Sequence, residues 1–245
     1  MQKNYGLQLY TVHEECEKDF PGMLRKAAEL GYSSVEFTGY YGLTAEELKH
    51  LLEEYRLTPV SSQMMIPSIA EHLDDVITYA KAIGLNNIAC CVGDVSTPDA
   101  LRDTIASLEP IVKRLTEEGM NFLYHNHGPE FCLLDGKRPI DTLLEHFAGQ
   151  NFCLELDTYW AMEAGADICA FIKEHAARIV NIHIKDGNGK GKSCPFGNGI
   201  YDIAGIVRTA REAGVSYILV EDDTPDPDGL TVARLNIEKL KEWNV

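Results

Sequence analysis

The sequence predicts a closed (β/α)8 barrel of parallel strands. Short apolar runs recur eight times along 245 residues, and helix-like stretches alternate with them. Several of the runs turn polar only at their C-terminal ends, which is where parallel α/β proteins bind ligands.

Taken in order, the expected strands are residues 5–10, 34–37, 59–63, 87–92, 121–125, 152–157, 179–184 and 217–221. Helix-like stretches at 24–31, 69–84, 101–119, 168–177 and 203–214 each feed the strand that follows. Gly31, Gly84, Gly119 and Gly214 fall where a left-handed helix C-cap belongs. Thr44-Ala-Glu-Glu47 reads as a capping box that opens the second helix. A doubly wound open sheet is the alternative. It would need a Gly-rich phosphate loop after the first strand, where this chain has Thr-Val-His-Glu-Glu. No linker or low-complexity run interrupts the cadence, so one domain over 1–245 is expected. Two longer loops, 128–139 and 187–201, follow the fifth and seventh strands; long loops at that end of a barrel are usually functional.

The balance of 22 basic against 38 acidic side chains leaves a formal charge of −16. Such a surface repels phosphate backbones, so nucleic acid is not an expected partner. The nearest approach to a basic patch is Lys190 and Lys192 in one short loop. No basic-plus-apolar leader and no bilayer-length apolar run is seen, so neither secretion nor a membrane is expected. Seven cysteines without CxxC spacing fit a reducing cytoplasm, with Cys90 and Cys153 read as small buried hydrophobes.

Four side chains at strand ends define the candidate site: His125, Asp157, His183 and Glu221. A mixed nitrogen and oxygen set of this kind suits a divalent metal. Strand parity supports their convergence. Glu155 and Asp157 share one face, His183 shares its face with Lys185, and polar residues alternating with Ile and Leu should face the lumen. Each residue alone has a plainer reading. A lone Asp after a strand usually caps a helix, and Asp186, Asp202 and Asp222 are read that way. A lone buried His is usually a hydrogen-bonded core residue, while His13, His50, His72, His146 and His175 read as surface groups. Four such residues at one end of four successive strands outweigh the plain readings. The letters His-Asn-His at 125–127 also suggest a nuclease, a reading discarded for want of a basic surface.

These segments resemble the sugar phosphate isomerase/epimerase superfamily, the xylose isomerase-like barrels. The resemblance rests on Gly31-Tyr-Ser-Ser-Val-Glu36-Phe, Leu156-Asp157-Thr, Val180-Asn-Ile-His183-Ile-Lys-Asp186, Phe196-Gly-Asn-Gly199-Ile-Tyr-Asp202 and Glu221. It implies Mn²⁺, Mg²⁺, Co²⁺ or Zn²⁺ held by His125, Asp157, His183 and Glu221, and proton abstraction next to the carbonyl of a sugar or keto-sugar. In the epimerases of this group the strand-five and strand-eight ligands are both glutamates that shuttle protons. Here the strand-five position is His125, and Trp160 stands where those epimerases keep a histidine.

The catalytic candidates are therefore Glu221, His125 and His127, with His127 or Glu130 available to complete the metal shell. An isomerase or epimerase is the leading expectation. A lyase or dehydratase acting on a keto-sugar or keto-inositol is the rival, and a non-catalytic sugar-binding subunit is the reading from another class. Lys185 and Glu155 either pair internally or grip substrate hydroxyls. Glu36, Gln63 and Glu130 are further substrate-binding candidates, and Trp160, Tyr10 and Phe196 are candidate walls. Met64-Met65-Ile66-Pro67 reads as an apolar contact patch. A sugar is the expected small-molecule partner, and a homo-oligomer is compatible with such barrels.

Overall fold

The computed structural model describes residues 5–245, so residues 1–4 of the expected domain lie outside the described residues. Eight parallel strands close on themselves: β1 (Gly6–Gln8), β2 (Ser34–Phe37), β3 (Thr58–Met64), β4 (Asn87–Cys90), β5 (Asn121–His125), β6 (Phe152–Asp157), β7 (Ile179–Ile184) and β8 (Tyr217–Val220). Each pairs with its neighbour in chain order, and β8 returns to β1 through Gly6↔Leu219.

Helices surround the barrel: α1 (His13–Leu30), α2 (Ala45–Tyr55), α3 (Ile66–Glu71), α4 (Leu73–Ala82), α5 (Pro98–Glu117), α6 (Pro139–His146), α7 (Thr158–Glu163), α8 (Ile168–His175), α9 (Ile203–Glu212) and α10 (Gly229–Trp243). The capping box forms as expected, with Thr44 and Glu47 bonding each other's backbone N–H. The four glycines expected at helix ends all have positive φ, from 71° at Gly119 to 102° at Gly31.

Side-chain parity separates two environments. Phe122, Phe152, Leu154, Leu156, Ile182 and Ile184 are buried in the apolar core, and Phe147 of the α6 C-terminus stacks on Phe152 with ring centroids 4.7 Å apart. The lumen is polar. Gln8 Nε2 donates to Glu36 Oε2 at 2.8 Å, and Ser61 Oγ donates to Glu36 Oε1 at 2.7 Å. Asn181 Nδ2 donates to Ser61 Oγ and Glu155 Oε2, both at 3.0 Å. Barrels of this kind are more often filled by branched aliphatic residues, and a buried polar network is stable only when its members find partners. Gly6 belongs to this narrow interior, where a Cβ would lie 2.2 Å from Leu219 Cδ2 and 2.6 Å from Ser34 Oγ.

Some expected boundaries move. Strand one ends at Gln8, whose Oε1 accepts from Tyr10 N and starts a 3-10 turn over Leu9–Val12 that runs into α1. Strand four stops at Cys90. The helix expected over 69–84 is two helices, broken at His72, whose φ of −121° is not helical. Of the three aspartates read as helix caps, only Asp202 is one, accepting from Gly205 N at 2.8 Å. Asp222 instead accepts from Ser193 Oγ and Thr224 N. Asp186 organises the loop after β7: its two oxygens take the N–H groups of Gly187, Gly197, Gly199 and Tyr201. That loop carries a short antiparallel pairing of Asp186–Gly187 with Ser193–Cys194. Among the described residues, no helix is long and apolar enough to cross a membrane.

Candidate active site

The site is assembled at the C-terminal mouth by four adjacent strands. β5 delivers His125, which is 3% exposed. Its Nδ1 lies 3.3 Å from Glu155 Oε1 but out of hydrogen-bond alignment, and so has no partner. The next residue, Asn126, stitches β5 to β6, accepting from Asp157 N and donating to Asp157 O, both at 3.0 Å. His127 then turns toward the mouth. Its backbone N–H is held by Glu130 Oε2 at 3.0 Å, and its ring Nδ1 is buried without a partner. Burial first, then the neighbouring His125, pushes the His127 imidazole down to about 4.

β6 ends in Asp157, whose two oxygens have different tasks. Oδ1 caps α7 by accepting from Trp160 N at 2.9 Å. Oδ2 faces the lumen, 2.8 Å from Lys185 Nζ but without hydrogen-bond alignment. The plain reading and the functional one thus both apply to one residue.

β7 contributes His183, with Lys185 two residues further on. His183 is fully buried between two carboxylates, Nδ1 at 2.7 Å from Glu221 Oε2 and Nε2 at 2.6 Å from Glu36 Oε2. Burial opposes its charge, but Glu221, Glu36 and Glu155 raise its pKa well above the usual histidine range. Lys185 is 1% exposed, with Nζ at 2.8 Å from Asp157 and 2.9 Å from both Glu221 and Asp223. Burial opposes this charge too, yet the three carboxylates hold the ammonium well above its ordinary pKa. Beyond β8, Glu221 is kept well below the carboxylate range by Lys185 and His183, against the effect of burial. Asp223 is pushed up to about 6, by burial and then by Glu221.

One donor atom from each of His125, Asp157 and His183 lies within 4.8 Å of the others. Nitrogen and carboxylate donors this close suit a divalent ion, and His125 Nδ1 is a buried polar atom without a hydrogen-bond partner that such a ligand would satisfy. Glu221 stands outside that group. Glu36, Glu155 and His183 form a second one, deeper in the lumen.

Above these groups opens a cavity of about 670 Å³. His125, His127, Lys185, Glu221, Gln63, Trp160 and Tyr10 all line it. Glu36, Glu155 and Glu130 do not. Glu36 supports His183 from below, Glu155 accepts from Gln63 Nε2 at 3.1 Å, and Glu130 holds Tyr124 OH and the His127 backbone. Phe196 is not a wall either, since it is buried against Trp243 with ring centroids 6.3 Å apart. The patch at Met64 and Met65 lines the cavity, beside Cys91 and Val92. Asp223 was not anticipated, although it sits two residues beyond Glu221 and so on the same parity.

A closed (β/α)8 barrel with carboxylates, imidazoles and a lysine converging at its C-terminal mouth defines the class. Residues 24–243 match the xylose isomerase-like TIM barrel family, and the chain belongs to that family. It is 22% identical over 230 residues to the rhizopine catabolism protein MocC of Rhizobium meliloti, covering 85% of this chain. The chain spans 63% of the length of that relative. It is 26% identical over 201 residues to hydroxypyruvate isomerase of Escherichia coli, covering 72% of this chain and 78% of the relative. Among solved structures, a sugar phosphate isomerase/epimerase from Parabacteroides distasonis superposes with a TM-score of 0.84 at 22% identity, covering 98% of each chain. The probable 3-DHS dehydratase AsbF of Bacillus anthracis superposes with a TM-score of 0.79 at 14% identity, covering 98% of this chain and 99% of that one.

Proposed function

We propose that the protein is a divalent-metal-dependent isomerase or epimerase of a sugar or keto-sugar, working by proton abstraction next to a carbonyl through an enediolate. The observation that supports this most directly is the pair of buried imidazole nitrogens without a hydrogen-bond partner at one mouth, His125 Nδ1 and His127 Nδ1, beside the Asp157 carboxylate. Buried groups of this kind are costly unless a ligand completes them.

In this reading a metal ion is held by His125, Asp157 and His183, and would supply the charge that stabilises an enediolate. The residues of the chain divide the remaining work. His127 faces the cavity as a neutral imidazole and is the group placed to accept and return a proton. Glu221, whose Oε2 is shared by His183 and Lys185, fixes both of those side chains and, lining the cavity, is the second group placed to take part in the proton transfer. Lys185 Nζ reaches the cavity and is placed to steady a substrate oxygen that gains negative charge.

A lyase or dehydratase is the second reading. Two observations favour it: the strand-five residue is a histidine rather than a carboxylate, and the cavity has room beyond a sugar ring for a leaving group. Both reactions begin with the same proton. Incubation with Mn²⁺ and a panel of ketoses and keto-sugars in D2O, followed by proton NMR, should show loss of the signal next to the carbonyl. A rearranged or epimerised product supports the first reading and an unsaturated product the second. No exchange with any panel member, in protein shown to bind metal, overturns both.

A further inference from the structure

The cavity is two-sided, and its sides predict what kind of molecule carries the reacting carbonyl. One side is the polar floor already described. The other is formed by Met64, Met65, Cys91 and Val92 at the ends of β3 and β4, with Thr38, Gln63 and Ser68 as polar neighbours in the lining. Met65 is 51% and Val92 42% exposed, so both present apolar surface to a ligand in the cavity. Trp160 and Tyr10 extend the apolar lining on either flank. At about 670 Å³ the space exceeds what one sugar ring needs and matches a ligand with a second group attached.

The charges exclude the commonest second group. Among the described residues, Lys185 is the only lysine or arginine lining the cavity, and its ammonium already faces three carboxylates within 2.9 Å. A phosphate placed there would meet Glu221 and Asp223 with no free cation to compensate. Lys190 and Lys192, on the loop pinned by Asp186, do not line the cavity.

We infer that the substrate is an unphosphorylated sugar or polyol bearing an apolar substituent of about aromatic size, with the sugar on the polar floor and the substituent against Met65 and Val92. This rests on the cavity being the substrate site, as in the proposed function, but not on which reaction occurs there.

The test is binding by calorimetry, with phenyl β-D-glucopyranoside, methyl β-D-glucopyranoside, glucose and glucose 6-phosphate as probes. Partial burial of a phenyl ring should make the phenyl glucoside bind about tenfold more tightly than the methyl glucoside. In a Met65→Ser/Val92→Ser double variant that advantage should shrink to about threefold or less. Both side chains are exposed, so the variant should keep its fold, which circular dichroism checks. Glucose 6-phosphate should bind no more tightly than glucose. Equal or undetectable binding of the two glucosides, an advantage unchanged in the variant, or a preference for the phosphate each overturns the inference. Because only binding is read, a failed deuterium exchange leaves the inference standing, and failed phenyl selectivity overturns it even in an active enzyme.

Discussion

Replacing Lys185 by Met removes a buried cation from the middle of the site while keeping most of its volume. Three carboxylates, those of Asp157, Glu221 and Asp223, stand 2.8 to 2.9 Å from the ammonium that would be lost. Removing one partner of a buried ion pair typically costs about 3–5 kcal/mol, because the remaining charge is left uncompensated. For a chain of this length, each kcal/mol moves the melting temperature by about 2–4 °C, so Lys185→Met should melt about 6–20 °C below wild type in EDTA. Measurement at about pH 8 limits relief through carboxyl protonation. A divalent cation should recover part of the loss, since an ion held by His125, Asp157 and His183 neutralises the Asp157 carboxylate that the ammonium left. At a hundredfold excess over its dissociation constant, a ligand of the folded state stabilises by about 2.7 kcal/mol, or about 5–11 °C here. The assay is thermal unfolding followed by circular dichroism, with and without Mn²⁺, on both proteins. Variant and wild type melting within about 2 °C of each other in EDTA, or Mn²⁺ raising both equally, would refute the argument that Lys185 neutralises this cluster.

Three further perturbations isolate other parts of the design. Asp157→Ala removes both the α7 cap and a metal donor, so it should lose about 1 kcal/mol of stability and also lose bound metal by elemental analysis; an unchanged metal content would remove Asp157 from the site. Asp186→Ala deprives four backbone N–H groups of their acceptor, and hydrogen exchange should accelerate across 187–201 while the barrel strands stay protected. Uniform protection in that variant would show that the loop has another anchor. Gly6→Ala forces a methyl against Leu219 and Ser34 in the lumen and should destabilise by about 1–3 kcal/mol in urea unfolding, with a smaller loss of about 1 kcal/mol or less expected from Gly214→Asn, where nothing lies within 4 Å and the cost is the positive φ of 83° alone.

The strand ends were the most legible part of the sequence. Runs such as Phe152–Asp157 and Ile179–Ile184 are apolar, bounded by polar residues and of ordinary strand length, so period and punctuation agree with the structure at both ends. Parity identified which residues face the lumen but not their depth. Glu36 and Glu155 look like site residues on the same grounds as Asp157, yet they lie below the mouth as supports for His183 and Gln63. Depth depends on how far each strand is staggered around the barrel, which no single strand encodes. The contacts of Lys185 were hidden for a related reason: a flexible four-carbon stem can reach several neighbours, and only the closed barrel decides which. The apolar wall was seen as a patch, but its place at the mouth follows from β4 lying between β3 and the His125 strand, β5.

The two rims of the mouth differ in how freely they can yield. On the β7 side the following loop is tied back onto Asp186 by four N–H contacts, so lifting it means breaking those contacts together. On the β3–β4 side, the exposed Met65 and Val92 stand on backbone held by Cys91 N donating to Met64 O and Ile69 N donating to Met65 O. The β7 rim is therefore a fixed edge, and the side of the opening that can change width at little cost is the one where Met65 and Val92 need only switch rotamer.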